Sequence, residues 1–581
     1  MRPFRRHVDC STNGMPPSSS RQVVGLLALV VVPLVLATAC GDTAGAPPSS
    51  PPDSSVATTD AAEDAQVSSD GPTDAGDCVS DVAPGPGILS TKHGAVRGAL
   101  EGPSYAFRNI PYAAPPVGAL RWKAPSPATC WKGARDGAGW GPQCPQFQDN
   151  GAGPMVGNED CLQLNVFAPA AKAGPLPIMV WIHGGGHVAG SAGEESSGVR
   201  IYDGGALAAK EGVLVVSMNY RLGVLGFLAH PLLAAETSSR TEGNFGILDV
   251  IAALDWVKAN AGAMGGDASR VTIFGESAGG VNVCALVASP LAKGLFAGAI
   301  IQSGGCVAKT RTEAEAFGAK VFAASKCDVA PDPLACMRAL PAESAVAALP
   351  VKTEVAGAIG GYGTVDDGYV LVGKPLDTIA AGRGAKVPMI VGTNKMETSR
   401  SVPIPLTATE AQYEAAVRSL FAGAADRVLA EYPVSDYASP WDAYVALTTD
   451  AKFTCGARRV LGALAASSTP AYRYFFSHVL DNGSPIVKKI GASHGVDVLY
   501  TFDHLNIAGY VEGPGDRVVA DAFTRRWASF AKNPADPNGG ATPAWPAYSS
   551  ATDPYLELDS PVRTGEGLRR SHCDFWEAFA P

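Results

Sequence analysis

The sequence predicts an α/β fold, a mostly parallel central sheet covered by helices on both faces. Three observations predict it. Short apolar runs recur along the chain and alternate with segments of helical spacing, as in a sheet buried on both sides. One run, residues 271–276, enters the turn Gly275-Glu276-Ser277-Ala278-Gly279 and then a helix from about Ala278. The composition, 46% hydrophobic and 17% charged over 581 residues, suits a large, well-buried domain rich in loops.

The folded domain is expected over residues 87–581, with its first strand near Ile88. Residues 94–98 and 106–113 read as short strands and turns, followed by a stiff crossing segment at Pro115-Pro116-Val117-Gly118. Leu176 to Ile182 is an apolar run with Pro177 near its start, read as a buried strand after a turn. Val213 to Tyr220 is a clearer strand, rich in valine. Leu248 to Asn260 has helical spacing, with Ile251, Leu254 and Val257 on one side. The strand of residues 271–276 follows. Phe296 to Gln302, Pro388 to Thr393 and Tyr472 to His478 are three further buried runs. No internal repeat is present.

The N-terminal segment reads differently. Arg2, Arg5, Arg6 and Arg21 precede an uncharged apolar run from Val23 to Ala39, which ends in Ala37-Thr38-Ala39-Cys40-Gly41. This resembles a bacterial lipoprotein signal, with Ala37 where a larger aliphatic residue is usual. The resemblance implies removal of residues 1–39, lipidation of Cys40 and attachment to a membrane. Plain secretion and an uncleaved anchor are the competing readings, and the run is short for a span and contains Pro33. Residues 40–86 are rich in Ala, Ser, Pro, Thr, Asp and Gly and hold no aromatic residue, so they are expected to form a flexible tether. Twelve cysteines are too few for a disulfide scaffold but many for a reduced compartment, which favours export. The net charge of −10 gives no basis for nucleic-acid binding.

The chemistry centres on Ser277. A serine hydroxyl attacks well only when a turn holds it up to a base and to a carbonyl carbon. Glycines at 275 and 279 remove the side chains that would collide in so tight a turn. The helix that follows aims its N-terminal N–H groups at the serine, where negative charge develops. Upstream, His183-Gly184-Gly185-Gly186-His187 closes a strand, and its glycines leave bare N–H groups for a reacting oxygen. A phosphate loop would want a Lys-Ser/Thr pair, which is missing. Together the two motifs point to a hydrolase.

A serine nucleophile needs a base, and His478, His494, His504 and His572 follow it. His494 sits in the small-residue loop Gly491-Ala492-Ser493-His494-Gly495 and is preferred, with His504 second. His478 lies in an apolar strand and reads as a core or surface residue, and His572 as structural. Candidate acids include Asp366, Asp367 and Glu397, the last beyond the C-terminal end of a strand, where α/β sites gather.

These motifs, taken with others, resemble the type B carboxylesterases, the family of cholinesterases, mammalian carboxylesterases and fungal lipases. The likeness covers roughly residues 88–581. It rests on Asn109-Ile110-Pro111-Tyr112-Ala113, Glu159-Asp160-Cys161-Leu162, the triple-glycine loop, Asn219-Tyr220-Arg221-Leu222-Gly223, Gly243-Asn244-Phe245-Gly246, Gly265-Gly266-Asp267 and the Ser277 turn. It implies an α/β-hydrolase fold and a Ser277–Glu397–His494 triad. It also implies oxyanion donors at Gly185, Gly186 and Ala278. Around the acid, Met396 and Thr398 replace the family's usual Asp and Gly, and Asp497 follows His494 where an acidic residue is usual. The same resemblance implies disulfides Cys144–Cys161, Cys327–Cys336 and Cys455–Cys573. Cys284, on the helix after Ser277, reads as a buried free thiol. Pairing among Cys78, Cys130 and Cys306 is left open.

The reaction so implied is ester hydrolysis through an acyl-enzyme. No CxxC or HExxH occurs, so neither metal nor other cofactor is expected. The expected partner is a small-molecule ester. Residues 145–160 hold no tryptophan, and Phe147 is their only aromatic, which disfavours choline esters. Residues 349–363, rich in Ala, Gly and Val, suggest a roomy apolar pocket for small to medium acyl groups. A lipase acting on longer acylglycerols and a non-catalytic surface-binding protein are the alternatives.

Overall fold

The computed structural model describes residue 78 and residues 81–579, apart from 149–152, 172–173, 352–354 and 356–360. The expected signal, Cys40 and most of the expected tether lie outside the described residues.

An eleven-stranded sheet carries the fold. Its strands are β1 (Ala99–Glu101), β2 (Ser104–Pro111), β3 (Gln163–Pro169), β4 (Leu176–Ile182), β5 (Leu214–Met218), β6 (Gly266–Glu276), β7 (Gly298–Gln302), β8 (Met389–Asn394), β9 (Ala471–Phe476), β10 (Pro554–Leu558) and β11 (Arg563–Glu566). The spatial order is β11-β10-β9-β8-β7-β6-β4-β5-β3-β2-β1. The run from β10 to β5 is parallel. The strands at both edges are antiparallel.

Alternation along the strands builds two core layers. Ile178, Val180, Ile182, Val271, Ile273, Ala299 and Ile301 face one layer. Met179, Trp181, Val215, Phe274, Ile300 and Ile390 face the other. Both layers are covered by helices: α1 (Gly205–Glu211), α2 (Phe245–Met264), α3 (Ala278–Ala288), α4 (Cys455–Ala466), α5 (Val496–Thr501) and α6 (Pro514–Lys532). Apolar residues of α2, α3 and α4 join the first layer, and those of α1, α5 and α6 the second. Helix α2 is longer than its periodicity suggested. It ends where Gly265 turns left-handed and caps it through the Ala261 carbonyl.

Among the described residues, five disulfides tie the layers and loops: Cys78–Cys130, Cys144–Cys161, Cys284–Cys306, Cys327–Cys336 and Cys455–Cys573. One expectation is corrected. Cys284 is not a free thiol but is bonded to Cys306, because α3 packs beside the loop that leaves β7.

Candidate active site

Ser277 stands at the junction of β6 and α3 with φ 56° and ψ −122°, a conformation strained for any residue but glycine. Its N–H donates to the Gln302 carbonyl at 2.9 Å, which holds the turn against β7. The flanking glycines are steric necessities. A Cβ on Gly275 would lie 2.6 Å from the Gly279 carbonyl, and one on Gly279 would lie 2.0 Å from the Ile182 oxygen.

The triple-glycine loop follows β4 and closes over the same point. A Cβ on Gly184 would lie 3.1 Å from Cβ of Ser277. The loop is anchored from several sides. The His183 ring stacks on Tyr220 at 4.4 Å, and the Tyr220 hydroxyl donates to the His183 carbonyl at 2.8 Å. His187 Nε2 is 2.7 Å from Asn282 Oδ1 on α3. Burial drives both histidines down to about 4, so both rings are neutral at physiological pH. Gln146, inside the Cys144–Cys161 loop, donates to the Gly190 carbonyl and accepts from its N–H. Asn219 accepts from Ala192 N–H, and Arg221 forms a two-pronged buried pair with Asp249. Several residues that carry the family resemblance thus brace this loop.

On the opposite side, the loop after β8 meets the loop before α5. Glu397 is fully buried; its Oε1 accepts from the Asn394 N–H at 2.8 Å, and its Oε2 lies 2.7 Å from Nδ1 of His494. The backbones are joined too, with His494 N–H donating to the Glu397 carbonyl at 3.1 Å. Asp497 pins this pair to the sheet. It accepts from Gln302 on β7, Asn394 on β8 and the Tyr474 hydroxyl on β9. Burial raises its carboxyl above the usual range.

Glu276, next to the serine, is buried, and its Oε1 lies 3.2 Å from Nε2 of His494, a close contact but not a hydrogen bond. Burial lifts Glu276 to about 8. His494 feels burial as well, but the Glu276, Glu397 and Asp497 carboxylates outweigh it and raise the imidazole to about 9. The two groups touch, so they titrate as a pair.

Of the remaining candidates, His478 also borders the cavity that Ser277 and His494 line, and the others do not. His478 is buried just past β9, 2.9 Å from Asp516 and 3.1 Å from Asp559. Asp516 also accepts from Tyr500, Tyr510 and Gly513, which makes it a structural hub. His504 bonds the Asp203 carbonyl, and His572 bonds Glu431. Asp367 caps the backbone of residues 369–371, and Asp366 accepts from Gly373 N–H. Sequence reasoning missed Phe453. It lies on a single π-helical turn, Asp450–Thr454, and its ring packs 5.0 Å from that of His494.

Ser277, His494, Gly185, Gly186 and Ala278 line one cavity of about 730 Å³. That volume suits a small-molecule ligand.

A family model described as Carboxylesterase family matches residues 86–576. The chain belongs to this family. The esterase is 36% identical over 497 residues to Fumonisin B1 esterase of Sphingopyxis macrogoltabida, covering 83% of this chain and 88% of that relative. It is 34% identical over 540 residues to Cocaine esterase of Oryctolagus cuniculus, covering 85% and 96%. A solved structure of PNB esterase matches with a TM-score of 0.72 at 30% identity, covering 85% of this chain and 99% of that one. The fold is the α/β-hydrolase fold, and the protein is a serine carboxylesterase. Its five disulfides suit an oxidising compartment outside the cytosol.

Proposed function

We propose that Ser277 is the nucleophile, His494 its general base and Glu397 the acid that orients the base. The observation that carries this reading is the Glu397–His494 pair at 2.7 Å, whose His494 lines the same cavity as the strained Ser277. Nδ1 of His494 is held by Glu397, which leaves Nε2 for the serine. Ser277 Oγ attacks the ester carbonyl and its proton passes to Nε2. The amides of Gly185, Gly186 and Ala278 receive the oxyanion, each worth about 3 kcal/mol of barrier. The alcohol leaves with the proton from His494. Water, deprotonated by the same nitrogen, then attacks the acyl-enzyme, and the acid departs.

The proposal extends to small to medium acyl groups, for which a cavity of about 730 Å³ gives ample room. Turnover of a 4-nitrophenyl ester series from acetyl to palmitoyl tests both points. The optimum is expected at short to medium chains, and Ser277→Ala is expected to lose turnover on all of them. Unchanged turnover in Ser277→Ala would contradict the assignment. An optimum at palmitate, rising on emulsified substrate, favours the lipase reading instead.

The N-terminal residues support a second part of the proposal, that Cys40 is lipidated and residues 40–86 tether the enzyme to a membrane. Detergent-phase partitioning that disappears in Cys40→Ala is the expected result. Aqueous partitioning of the parent protein would favour plain secretion.

A further inference from the structure

Ester hydrolysis at Ser277 does not itself call for cations in the cavity, yet Lys309, Arg400 and Lys452 all line it. They do so in a chain whose net charge is −10. Lys309 is the best defined of the three. It opens the short strand Lys309–Thr310, paired with Val365–Asp366. Its ammonium donates to the Gly361 carbonyl and lies 5.5 Å from the centre of the Phe317 ring. Among the described residues it makes no ion pair. The nearby Glu313 carboxylate is engaged by the Thr310 N–H and hydroxyl. Burial lowers the lysine from its usual range, and its charge reaches His187 in the triple-glycine loop. Among the described residues this half-buried ammonium has a carbonyl, a ring face and the field of Glu313 but no direct ion pair, and such a group gains when an anion arrives.

Two hydroxyls that line the cavity are unpaired among the described residues. Tyr362 packs edge-on against Phe317, ring centres 5.0 Å apart, and its buried hydroxyl has no partner among the described residues. Ser303 is buried, its Oγ unpaired among the described residues, one residue beyond Gln302, whose carbonyl holds the Ser277 N–H. Both residues line the cavity. Buried hydroxyls are rarely left unpaired unless something else completes them.

We infer that this esterase selects half-esters of dicarboxylic acids, with Lys309 and the Tyr362 hydroxyl binding the free carboxylate at the far end of the acyl chain. The inference rests on the Ser277 reading above. The alcohol leaves with the proton delivered by His494, and Ser277 carries an acyl group that ends in a carboxylate. Water then releases the dicarboxylic acid, which gives up its new proton to solvent at neutral pH.

The test compares 4-nitrophenyl hydrogen adipate with 4-nitrophenyl hexanoate, two six-carbon acyl groups that differ in the terminal carboxylate. The readout is the ratio of kcat/KM, adipate over hexanoate, within one enzyme. The ratio is expected to exceed one in the parent and to fall with added salt. It should drop about tenfold or more in Lys309→Met, drop less in Tyr362→Phe, and return in Lys309→Arg. Fluorophosphonate labelling of each variant reports that its site is folded. A parent ratio below one, or a ratio unchanged in a labelled Lys309→Met, overturns the inference alone. Failure of the folded parent on both esters overturns it together with the Ser277 reading.

Discussion

Glu276 Oε1 lies 3.2 Å from Nε2 of His494, the ring nitrogen opposite the one held by Glu397. The imidazole is therefore flanked by carboxylates at both nitrogens. This arrangement bears directly on the pH at which the base is free.

A base must be neutral to take the serine proton. Burial disfavours the charged ring, but the surrounding carboxylates raise His494 to about 9. So kcat/KM is expected to climb with pH through a midpoint above the usual imidazole value of about 6.5. Glu276→Gln removes one of those carboxylates and should move the acid limb to lower pH. A pH–rate profile of the two enzymes checks this, and an unmoved or upward-shifted limb contradicts it.

Glu397 has a different duty. Its carboxylate holds Nδ1, and so sets which nitrogen of His494 carries the proton. Glu397→Gln should lower kcat by roughly 10³-fold or more while KM changes little, because the tautomer is lost but the cavity is not. Steady-state kinetics on 4-nitrophenyl butyrate decide the matter. A loss confined to KM argues against an orienting role.

The triple-glycine loop leaves no room for a methyl group at Gly184, where a Cβ would lie 2.9 Å from the Glu276 carbonyl. Gly184→Ala should push the loop away from Ser277. Displacing the oxyanion donors by about 1 Å costs on the order of 100-fold in kcat. Thermal unfolding close to that of the parent would show the loss to be local. Parental kcat in Gly184→Ala would remove the loop from the mechanism.

The Cys284–Cys306 bond fastens the helix behind the nucleophile to the loop beyond β7. Alkylation of the unfolded, unreduced protein should therefore leave both cysteines unmodified. Closing this loop, with a sequence separation of 22, contributes about 3 kcal/mol in a chain-entropy picture. The Cys284→Ala/Cys306→Ala pair should unfold at lower denaturant. An alkylated Cys284 in the unreduced protein is the contrary result.

Much of this architecture was legible because local chemistry dictated it. Residues 176–182 and 213–220 are apolar and β-branched enough that only a doubly covered strand accommodates them. The Gly275–Gly279 turn and the triple-glycine loop carry their geometry in their composition, since a Cβ at either place meets backbone. Ser277, Glu397 and His494 were named from such signals and from family likeness; Ser277 and His494 line one cavity, and Glu397 is buried 2.7 Å from Nδ1 of His494. What escaped was long-range. The Cys284–Cys306 pair follows no spacing rule, and only the packing of α3 beside the β7 loop joins it. Phe453 reaches His494 through a π-helical turn that no periodicity announces. Glu276 adjoins Ser277 in the sequence, but its contact with His494, far along the chain, depends on where α5 docks. Lys309 carries no sequence signal of its own, and only the pairing of Lys309–Thr310 with Val365–Asp366 places it at the cavity.

The central claim is that an acyl group passes through Ser277, and covalent trapping tests it most directly. The enzyme is mixed with a 4-nitrophenyl ester, quenched in acid within the first turnover, digested and mapped by mass spectrometry. The account predicts a burst of 4-nitrophenol matched by an acyl adduct on the peptide holding Ser277, both absent from Ser277→Ala. Steady hydrolysis without a burst or adduct, or an adduct on any other residue, would contradict it.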